Sequence, residues 1–368
     1  MKTILHTIDT NEPGGAETVF IDLATRLPRE KYRSLIVIQG KGYIYDELKK
    51  RGAKPILLDT RGSFNWRYLK GLISIIRREN VDLIQSHLLG SNVYCSLAGL
   101  LTKTPVVAVF HGAVDIDKHE RFKWLKFSAI NRGAQCIVAV SKNLRDSIIK
   151  ASPLRKDLTK VIYNGIEIGD FERPHSRLMR QNYGWNDKDI IVGSLGNMHH
   201  AKGYDVLLRS AALLKGSGLT FRFVIAGQIK EDIYKDLVKL KTDLSLNETV
   251  YFIDFISDPA YFLSNIDYFL LPSLSEGFSI ATIQAMAANL AVIVTRSGGP
   301  EEIVTHEENG LMVAPGNPVA IAEAVKTLAD DNELRIKLAC QGNKHVTQTF
   351  RIESMLAAYE DIYNSLLH

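Results

Sequence analysis

Leu270-Leu-Pro-Ser-Leu-Ser-Glu-Gly-Phe-Ser-Ile-Ala-Thr-Ile-Gln-Ala-Met-Ala287 is the stretch around which the chain is organised. The apolar run 266–271 predicts a buried strand, and Ser279 is the predicted N-cap of the helix that follows. A helix that begins at the carboxyl edge of a parallel sheet presents unpaired N–H groups to an anion. We therefore predict a ligand site here. A solvated Glu276 and a hydrogen-bonded Gln284 at a plain helix start explain this fragment, taken alone, equally well.

Apolar runs and helical stretches alternate along the whole chain, which is typical of α/β proteins with parallel sheets. In the first half, we predict strands at 2–8, 34–39, 54–58, 81–85, 106–110, 136–140 and 160–163, with helices at 16–27, 44–51, 68–79, 92–101 and 122–132. In the second half, we predict strands at 190–195, 221–226, 250–253, 266–271 and 291–295, with helices from residues 203, 232, 279, 318 and 332.

The length of 368 residues favours two domains. The charged, aperiodic stretch 167–185 contains Pro174 and predicts the linker, so we place the domains at 1–170 and 171–350. The final amphipathic stretch 351–368 is long enough to pack back on the first domain. Two facing α/β halves would leave a cleft between their sheet ends, where a ligand is expected by default.

The composition is that of an ordinary globular protein, with 46% hydrophobic and 23% charged residues. No apolar run approaches the length of about 18 residues needed to span a bilayer. We interpret residues 1–8 as a first strand and not as a signal peptide. Three scattered cysteines, Cys95, Cys136 and Cys340, fit a reducing cytosol and indicate neither a disulfide framework nor a metal site.

Charge is unevenly distributed: residues 1–170 contain 27 Lys and Arg against 17 Asp and Glu, whereas the remainder contains 18 against 24. This asymmetry suggests that only the first half faces something anionic. Residues 118–127 interleave basic and aromatic side chains, as in helices that lie on anionic membranes, and Trp124 and Phe127 would enter the interface. A solvated helix face explains the stretch about as well. Nucleic acid is disfavoured because no recognised binding module is present.

Two glycine pairs follow predicted strands and open predicted helices. Gly14 and Gly15 lie in Pro13-Gly-Gly-Ala-Glu17, and Gly298 and Gly299 lie in Ser297-Gly-Gly-Pro-Glu-Glu302. Both allow a phosphate to approach backbone N–H groups, and both are also explained by simple turns. The first does not match G-x-G-x-x-G, which disfavours a dinucleotide site.

Two further side chains are placed for anion or sugar chemistry. His111 ends a predicted strand, where it can hydrogen-bond a substrate hydroxyl or a leaving phosphate, although a lone histidine is more often buried and satisfied. Lys202 precedes a predicted helix. It suits the positive helix end only if an anion binds there too, which favours a diphosphate partner.

Two clusters resemble metal ligands, but we predict no metal site. Asp115 and Asp117 match the carboxylate pairs that hold Mg²⁺ or Mn²⁺, yet they lie in a mixed-charge loop. His199 and His200 lack an identifiable third ligand and are interpreted as loop residues.

Taken together, these motifs resemble the retaining glycosyltransferases of family four (group 1), whose GT-B fold consists of two facing Rossmann-like domains. The resemblance covers essentially the whole chain. It rests on the order and spacing of Gly14-Gly-Ala-Glu17, His111-Gly112, Val138-Ala-Val-Ser141, Tyr163-Asn-Gly-Ile166, Lys202-Gly203, Ser275-Glu-Gly-Phe278 with Gln284, and Gly298-Gly299 with Glu302.

The resemblance implies a nucleotide-sugar donor held mainly by residues 171–350 and an acceptor held mainly by residues 1–170. It implies three catalytic residues: Glu276 on donor-sugar hydroxyls, Lys202 on the diphosphate and His111 near the reacting sugar. The donor-binding residues implied or predicted are Gly14, Gly15, Asn197, Lys202, Gly277, Phe278, Ser279, Gln284, Gly298, Gly299 and Glu302.

Two positions depart from the family pattern. The second acidic residue expected eight positions after Glu276 is Gln284, which weakens the bond to the ribose by about 1 kcal/mol. The arginine often found five residues before Lys202 is Asn197, so one positive charge on the diphosphate is missing.

The resemblance therefore implies sugar transfer, with UDP-sugar as the commonest donor, to a lipid-linked or surface-polysaccharide acceptor. We expect a cytoplasmic, metal-independent enzyme without cofactor, held at the inner face of the membrane. The alternatives are a cytosolic transferase with a small soluble acceptor, a GT-B nucleotide-sugar epimerase, and a non-catalytic saccharide- or nucleotide-binding protein. The glycine motifs and Glu276 disfavour the epimerase.

Overall fold

Two parallel sheets, one in each half of the chain, carry the architecture of this protein. The computed structural model describes residues 1–60, 64–112 and 122–367. The chain divides into a first unit, Met1–Asn164 with Glu353–His368, and a second unit, Gly165–Ile352. The first unit thus ends at Asn164, ahead of the boundary that we placed at 170.

The first unit is built on a sheet that has seven strands within the described residues. The strands are β1 (Lys2–Ile8), β2 (Tyr32–Ile38), β3 (Ile56–Leu57), β4 (Leu83–His87), β5 (Val106–Phe110), β6 (Cys136–Ala139) and β7 (Thr159–Val161). They are all parallel and lie in the order β3-β2-β1-β4-β5-β6-β7. The helices between them are α1 (Gly15–Arg26), α2 (Tyr43–Lys50), α3 (Trp66–Arg78), α4 (Leu89–Thr102), α5 (Lys123–Gly133) and α6 (Lys142–Ala151).

The sheet of the first unit is covered on both faces, as continuous apolar strands require. Ile8 and Ile36 pack with residues of α1 and α2 on one face. Leu5 and Ile84 pack with residues of α3 and α4 on the other. Because side chains alternate along each strand, both faces are buried and only the strand ends are available for a site.

The second unit contains a parallel sheet with six strands within the described residues. The strands are β8 (Ile190–Leu195), β9 (Phe221–Ala226), β10 (Val250–Ile253), β11 (Tyr268–Leu271), β12 (Ala291–Thr295) and β13 (Leu311–Val313), in the order β10-β9-β8-β11-β12-β13. The helices are α7 (Leu178–Tyr183), α8 (Tyr204–Leu213), α9 (Glu231–Asp243), α10 (Pro259–Ser264), α11 (Ile280–Ala287), α12 (Pro318–Asp330) and α13 (Asn332–Thr349).

A last helix, α14 (Ile352–Leu366), belongs to the first unit from Glu353 onward. Its Glu360 forms an ion pair of 3.0 Å with Lys31, and its Tyr363 hydroxyl lies 3.1 Å from Gln85 Oε1 on β4. The amphipathic pattern at 351–368 therefore corresponds to a helix that packs on the first sheet.

Four elements were absent from the sequence-based prediction: α6, α7, α10 and β13. Helix α7 lies in the stretch that we interpreted as a linker, and its Arg180 is buried in an ion pair of 2.6 Å with Asp267. A buried arginine interrupts the apolar period that marks a helix. Helix α6 is capped by Ser141 and buries only Leu144 and Ile148, which is too short a repeat to stand out.

Candidate functional site

The carboxyl ends of three neighbouring strands form the candidate site of the second unit. Strands β8, β11 and β12 are adjacent and parallel, so the loops that follow them meet at one edge of the sheet. The Leu274 N–H donates to Ala201 O at 2.7 Å, and the Glu276 N–H donates to Ser297 O at 2.8 Å. These backbone bonds hold the loops at 196–203, 272–279 and 296–302 together.

Lys202 and Glu276 meet at the centre of this edge. Lys202 Nζ lies 2.7 Å from Glu276 Oε1, and the Ser273 hydroxyl donates to the same oxygen at 2.7 Å. The exposed fractions of the two charged side chains are 24% and 11%, so the pair is largely withdrawn from water. Charge-assisted bonds in such surroundings are strong and directional. The predicted diphosphate and sugar residues thus occupy one place, together with Ser273, which the sequence reading missed.

Two glycines at this edge are required for the close packing of its loops. Gly203 has a φ of +64°, and a Cβ on it would lie 2.3 Å from Pro272 O. A Cβ on Gly299 would lie 2.4 Å from the Cα of Phe278. Both glycines therefore let one loop backbone pack directly against another, which only a residue without a side chain permits.

Helix α11 begins as predicted at Ser279. The Ser279 hydroxyl accepts from the Thr282 N–H at 3.3 Å, which confirms the N-cap. Gln284 is partly buried one turn further on, and its side chain makes no hydrogen bond within the described part of the chain. Phe278 is 5% exposed and packs edge-on against Phe350, so its side chain belongs to the core beside the buried Gly277.

The remaining predicted residues of this edge support its loops. Asn197 Oδ1 accepts from the Gln228 N–H at 3.2 Å, so this amide ties the loop after β8 to the loop after β9. An arginine at this position would reach further but lose that bond. The Gly298 N–H donates to the Glu301 carboxylate at 3.1 Å, and the partly buried Glu302 ends the same short turn.

In the first unit, the predicted glycine pair opens α1 after β1. Gly14 O accepts from the Thr18 N–H at 3.0 Å, and Gly15 is exposed. Glu17 curls back so closely that a Cβ on Gly14 would lie 2.3 Å from its Oε2. Burial raises the pKa of Glu17 to about 7. Glu17 therefore shapes this helix mouth, a role that we did not predict.

His111 lies at the end of β5 and pairs with His87, at the end of the neighbouring strand β4. His111 Nε2 lies 2.9 Å from His87 Nδ1, and the two rings stack at a centroid distance of 5.1 Å. Burial lowers the pKa of His111 to about 3. Burial, together with the neighbouring His111 and His6, also holds the pKa of His87 well below its usual value. Both rings are thus neutral near pH 7.

The predicted site residues form two groups. Gly14, Gly15 and His111 lie at the carboxyl edge of the first sheet. The others, from Asn197 to Glu302, lie at the carboxyl edge of the second.

The predicted membrane segment at 118–127 is only partly covered by the structure. Asp115, Asp117 and residues 118–121 lie outside the described residues. Phe127 was wrongly assigned to the membrane interface, since it is fully buried and packs near Phe110 at a centroid distance of 6.4 Å. Phe122, Trp124 and Leu125 are instead exposed by 69%, 72% and 70%.

Membrane-spanning helices and metal clusters are both absent from the described residues. Within them, no helix combines the length and the apolar character needed to cross a bilayer. Likewise, no group of three or more potential metal ligands occurs in the ranges that the structure covers. Independence from metal stays a prediction.

Comparison with known families assigns both halves of the chain. A profile described as "Glycosyltransferase Family 4" matches residues 13–170, and one described as "Glycosyl transferases group 1" matches residues 176–345. The two matches adjoin and together cover most of the sequence.

Individual relatives agree with these profiles. The capsular polysaccharide biosynthesis glycosyltransferase CapM of Staphylococcus aureus is 25% identical over 313 residues, or 81% of each chain. The N-acetyl-alpha-D-glucosaminyl L-malate synthase of Bacillus anthracis is 23% identical over 80% of this chain and 78% of its own. The solved structure of Anabaena HepE with UDP-glucose matches with a TM-score of 0.89 at 22% identity, covering 99% of this chain and 100% of HepE. This likeness shows the GT-B fold.

Proposed function

This chain belongs to glycosyltransferase family 4 and has the GT-B fold, and from that premise we propose that it is a retaining hexosyltransferase. It moves a hexose from a UDP-sugar to a saccharide acceptor of the cell envelope. The observation that carries this proposal is the contact of Lys202, Glu276 and Ser273 at the edge of the second sheet.

That contact supplies the groups that sugar transfer requires. Negative charge develops on the diphosphate as it leaves the anomeric carbon, and Lys202 provides a fixed positive charge for it. Glu276 provides an oxygen that accepts hydrogen bonds from sugar hydroxyls. Without a donor, the two side chains satisfy each other at 2.7 Å. A donor replaces that pairing, with phosphate oxygens on Lys202 and hydroxyls on Glu276.

Support for UDP comes from HepE, which has been solved in complex with UDP-glucose. Gln284 lies one turn into α11, where the family places an acidic residue on the ribose. Its amide oxygen accepts one ribose hydroxyl, with less strength than a carboxylate.

We assign a same-face substitution to the chemical step. The acceptor oxygen bonds to the anomeric carbon as the bond from that carbon to the diphosphate oxygen breaks. The hydroxyl proton passes to the departing phosphate. No protein nucleophile is assigned among the motif residues, and the neutral His111 provides a hydrogen bond to the sugar and not a charge.

The acceptor that we propose is a lipid-linked or surface saccharide. CapM acts in capsular polysaccharide biosynthesis, and the first half of this chain is basic. We propose that Phe122, Trp124 and Leu125, with the adjoining Lys123 and Lys126, dock this enzyme on anionic lipid at the inner membrane face.

Vesicle flotation tests this docking. The variant Trp124→Ser/Leu125→Ser should lose most binding to vesicles with anionic lipid at low salt, because two exposed apolar anchors are removed. Ile336→Ser, which changes a side chain exposed by 58% on α13, is the matched control and should bind normally. If the unaltered protein does not bind, the docking surface is rejected.

A small soluble acceptor is the second candidate, favoured by the similarity to the N-acetyl-alpha-D-glucosaminyl L-malate synthase. Absence of vesicle binding would support it.

A donor screen tests the transferase proposal itself. The protein is incubated with UDP-, GDP- and ADP-hexoses, and released nucleoside diphosphate is measured together with thermal stability. We expect release of UDP and a rise in melting temperature with UDP-sugars. NMR of a product should show the donor's anomeric configuration. Stabilisation without release from any donor would indicate a non-catalytic binding protein.

A further inference from the structure

Three buried polar side chains lie next to one another inside the first sheet. His6 on β1 is aligned with Gln85 on β4, and His87 follows Gln85 on the same face of β4. All three are 0% exposed in a sheet whose other inner positions are mostly apolar. Burying such groups costs free energy unless hydrogen bonds compensate. We therefore expect these three side chains to form hydrogen bonds that compensate for their burial.

Two of these side chains belong to a chain of hydrogen bonds that leads from α14 to His111. Tyr363 Oη lies 3.1 Å from Gln85 Oε1. Gln85 Nε2 lies 3.4 Å from His87 Nε2, and His87 Nδ1 lies 2.9 Å from His111 Nε2. The four residues come from α14, β4 and the end of β5, and they link the C-terminal helix to the carboxyl edge of the first sheet.

The phenol of Tyr363 sets the direction of donation along this series of hydrogen bonds. Burial raises the pKa of Tyr363 well above its usual value, so the hydroxyl keeps its proton, and it donates to Gln85 Oε1 at 3.1 Å. Its partner is the Gln85 oxygen, which turns the Gln85 amide nitrogen toward His87. An amide nitrogen only donates, so His87 Nε2 accepts and its proton resides on Nδ1. His87 Nδ1 then donates to His111 Nε2, which leaves the His111 proton on Nδ1.

We propose that Tyr363, Gln85 and His87 are positioning residues that hold His111 as the neutral tautomer protonated on Nδ1. In this form Nε2 accepts from His87 and cannot take a proton, so the N–H that His111 can donate is the one on Nδ1. This inference rests on the proposed transferase function for its role in catalysis, and on hydrogen-bond geometry alone for the tautomer.

The tautomer is measured directly by long-range ¹H–¹⁵N NMR on protein with ¹⁵N-labelled histidine near pH 7. His111→Gln identifies the His111 signals by their loss. We expect the protonated nitrogen of His111 to be Nδ1 in the unaltered protein. A proton on Nε2 would overturn the proposal, and the tautomer itself is read from the unaltered protein.

The variant Tyr363→Phe removes the donor that sets the direction. The ratio of Nδ1–H to Nε2–H at His111 should fall by about tenfold, the worth of one hydrogen bond. Tyr359→Phe is the matched control, since Tyr359 lies one turn earlier on α14, is equally buried and makes no hydrogen bond through its hydroxyl within the described residues. It should leave the ratio unchanged. An unchanged ratio in Tyr363→Phe would contradict the proposal.

Kinetics separate a positioning role from a structural one. With an active donor, Tyr363→Phe should lower kcat in proportion to the fraction of Nδ1-protonated His111 that is lost and leave the donor KM unchanged, whereas Tyr359→Phe should change neither. Equal kcat in both variants would reject the catalytic role. If no donor is turned over at all, the proposed function fails, while the NMR result still decides the tautomer.

Discussion

The carboxyl edges of the two sheets both carry polar groups at strand ends, but the two sets of groups differ in charge and in exposure to solvent. In the first unit, the neutral rings of His87 and His111 share a hydrogen bond of 2.9 Å. In the second, a charged pair, Lys202 and Glu276, remains partly open to solvent. A neutral N–H donor that is shielded from water makes a directional hydrogen bond, whereas a lysine contributes a positive charge that attracts an anion. Under the proposed function, the charged edge suits a diphosphate and the neutral edge suits a sugar hydroxyl.

The largest expected effect concerns the charged edge. Lys202→Ala should lower kcat by about 10²–10³-fold, because a preorganised charge on the leaving diphosphate is lost. Lys326→Ala is the control, since Lys326 pairs with Asp330 on the exposed side of α12. Steady-state release of UDP measures both. Turnover within threefold of normal in Lys202→Ala would remove this residue from the mechanism.

A second buried pair in the same unit should affect stability and not catalysis. Asp267 accepts from Arg180 at 2.6 Å and from the Ile191 N–H at 2.7 Å. Asp267→Asn should therefore lower the free energy of unfolding by about 3 kcal/mol, since it leaves a buried arginine without its carboxylate partner.

The control for that change is Asp258→Asn. The ion pair of Asp258 with Arg173 is about half exposed, and asparagine keeps the cap of α10. Urea unfolding should show a loss below about 1 kcal/mol. Equal losses in the two variants would mean that burial does not distinguish these pairs.

The stability of the first unit, which contains the neutral histidines, should fall more in acid than that of the second unit. Burial lowers the pKa of His6 to about 3 and that of His87 well below its usual value. Unfolded histidines bind a proton near pH 6.5, so below that pH the unfolded state holds more protons and stability falls. The expected slope is about 1.4 kcal/mol per pH unit for each residue.

Hydrogen exchange measured between pH 7 and pH 5 tests this window. Peptides from β1 and β4 should lose protection faster than peptides from β8 and β11, after correction for intrinsic exchange rates. The variant His6→Leu should make the dependence shallower. Equal acid sensitivity of both sheets would contradict the assignment of neutral buried histidines.

The smallest effect concerns the ribose. Gln284→Glu should tighten UDP binding about fivefold, since a carboxylate accepts a hydroxyl bond more strongly than an amide does. Calorimetry measures the change, and Gln284→Ala should weaken binding. If both variants bind UDP like the unaltered protein, Gln284 does not contact the ribose.

The sequence predicts best where one local signal decides the structure. The apolar run at 106–110 became β5 without any shift of its ends, and the Ser279 cap is confirmed. Lys202 and Glu276 were identified from the order and spacing of the family's motifs, and that spacing reflects the fold that the family shares. Local patterns suffice for such features because neighbouring residues along the chain determine them.

What the sequence did not reveal depends on contacts across strands. We ended β4 at Gln85, so His87 was not recognised as a strand-end partner of His111. Ser273 hydrogen-bonds Glu276 through a loop whose path no periodicity predicts. Phe127 was assigned to a surface by composition, yet its place on α5 turns it toward Phe110. Packing partners of this kind arise only from the tertiary fold.

The central claim is that the charged edge of the second unit holds a nucleotide-sugar. Hydrogen–deuterium exchange with and without saturating UDP-glucose tests it most directly. We predict slower exchange at residues 197–203, 272–284 and 297–302. Unchanged exchange in all three segments, with protection elsewhere or nowhere, would contradict the account.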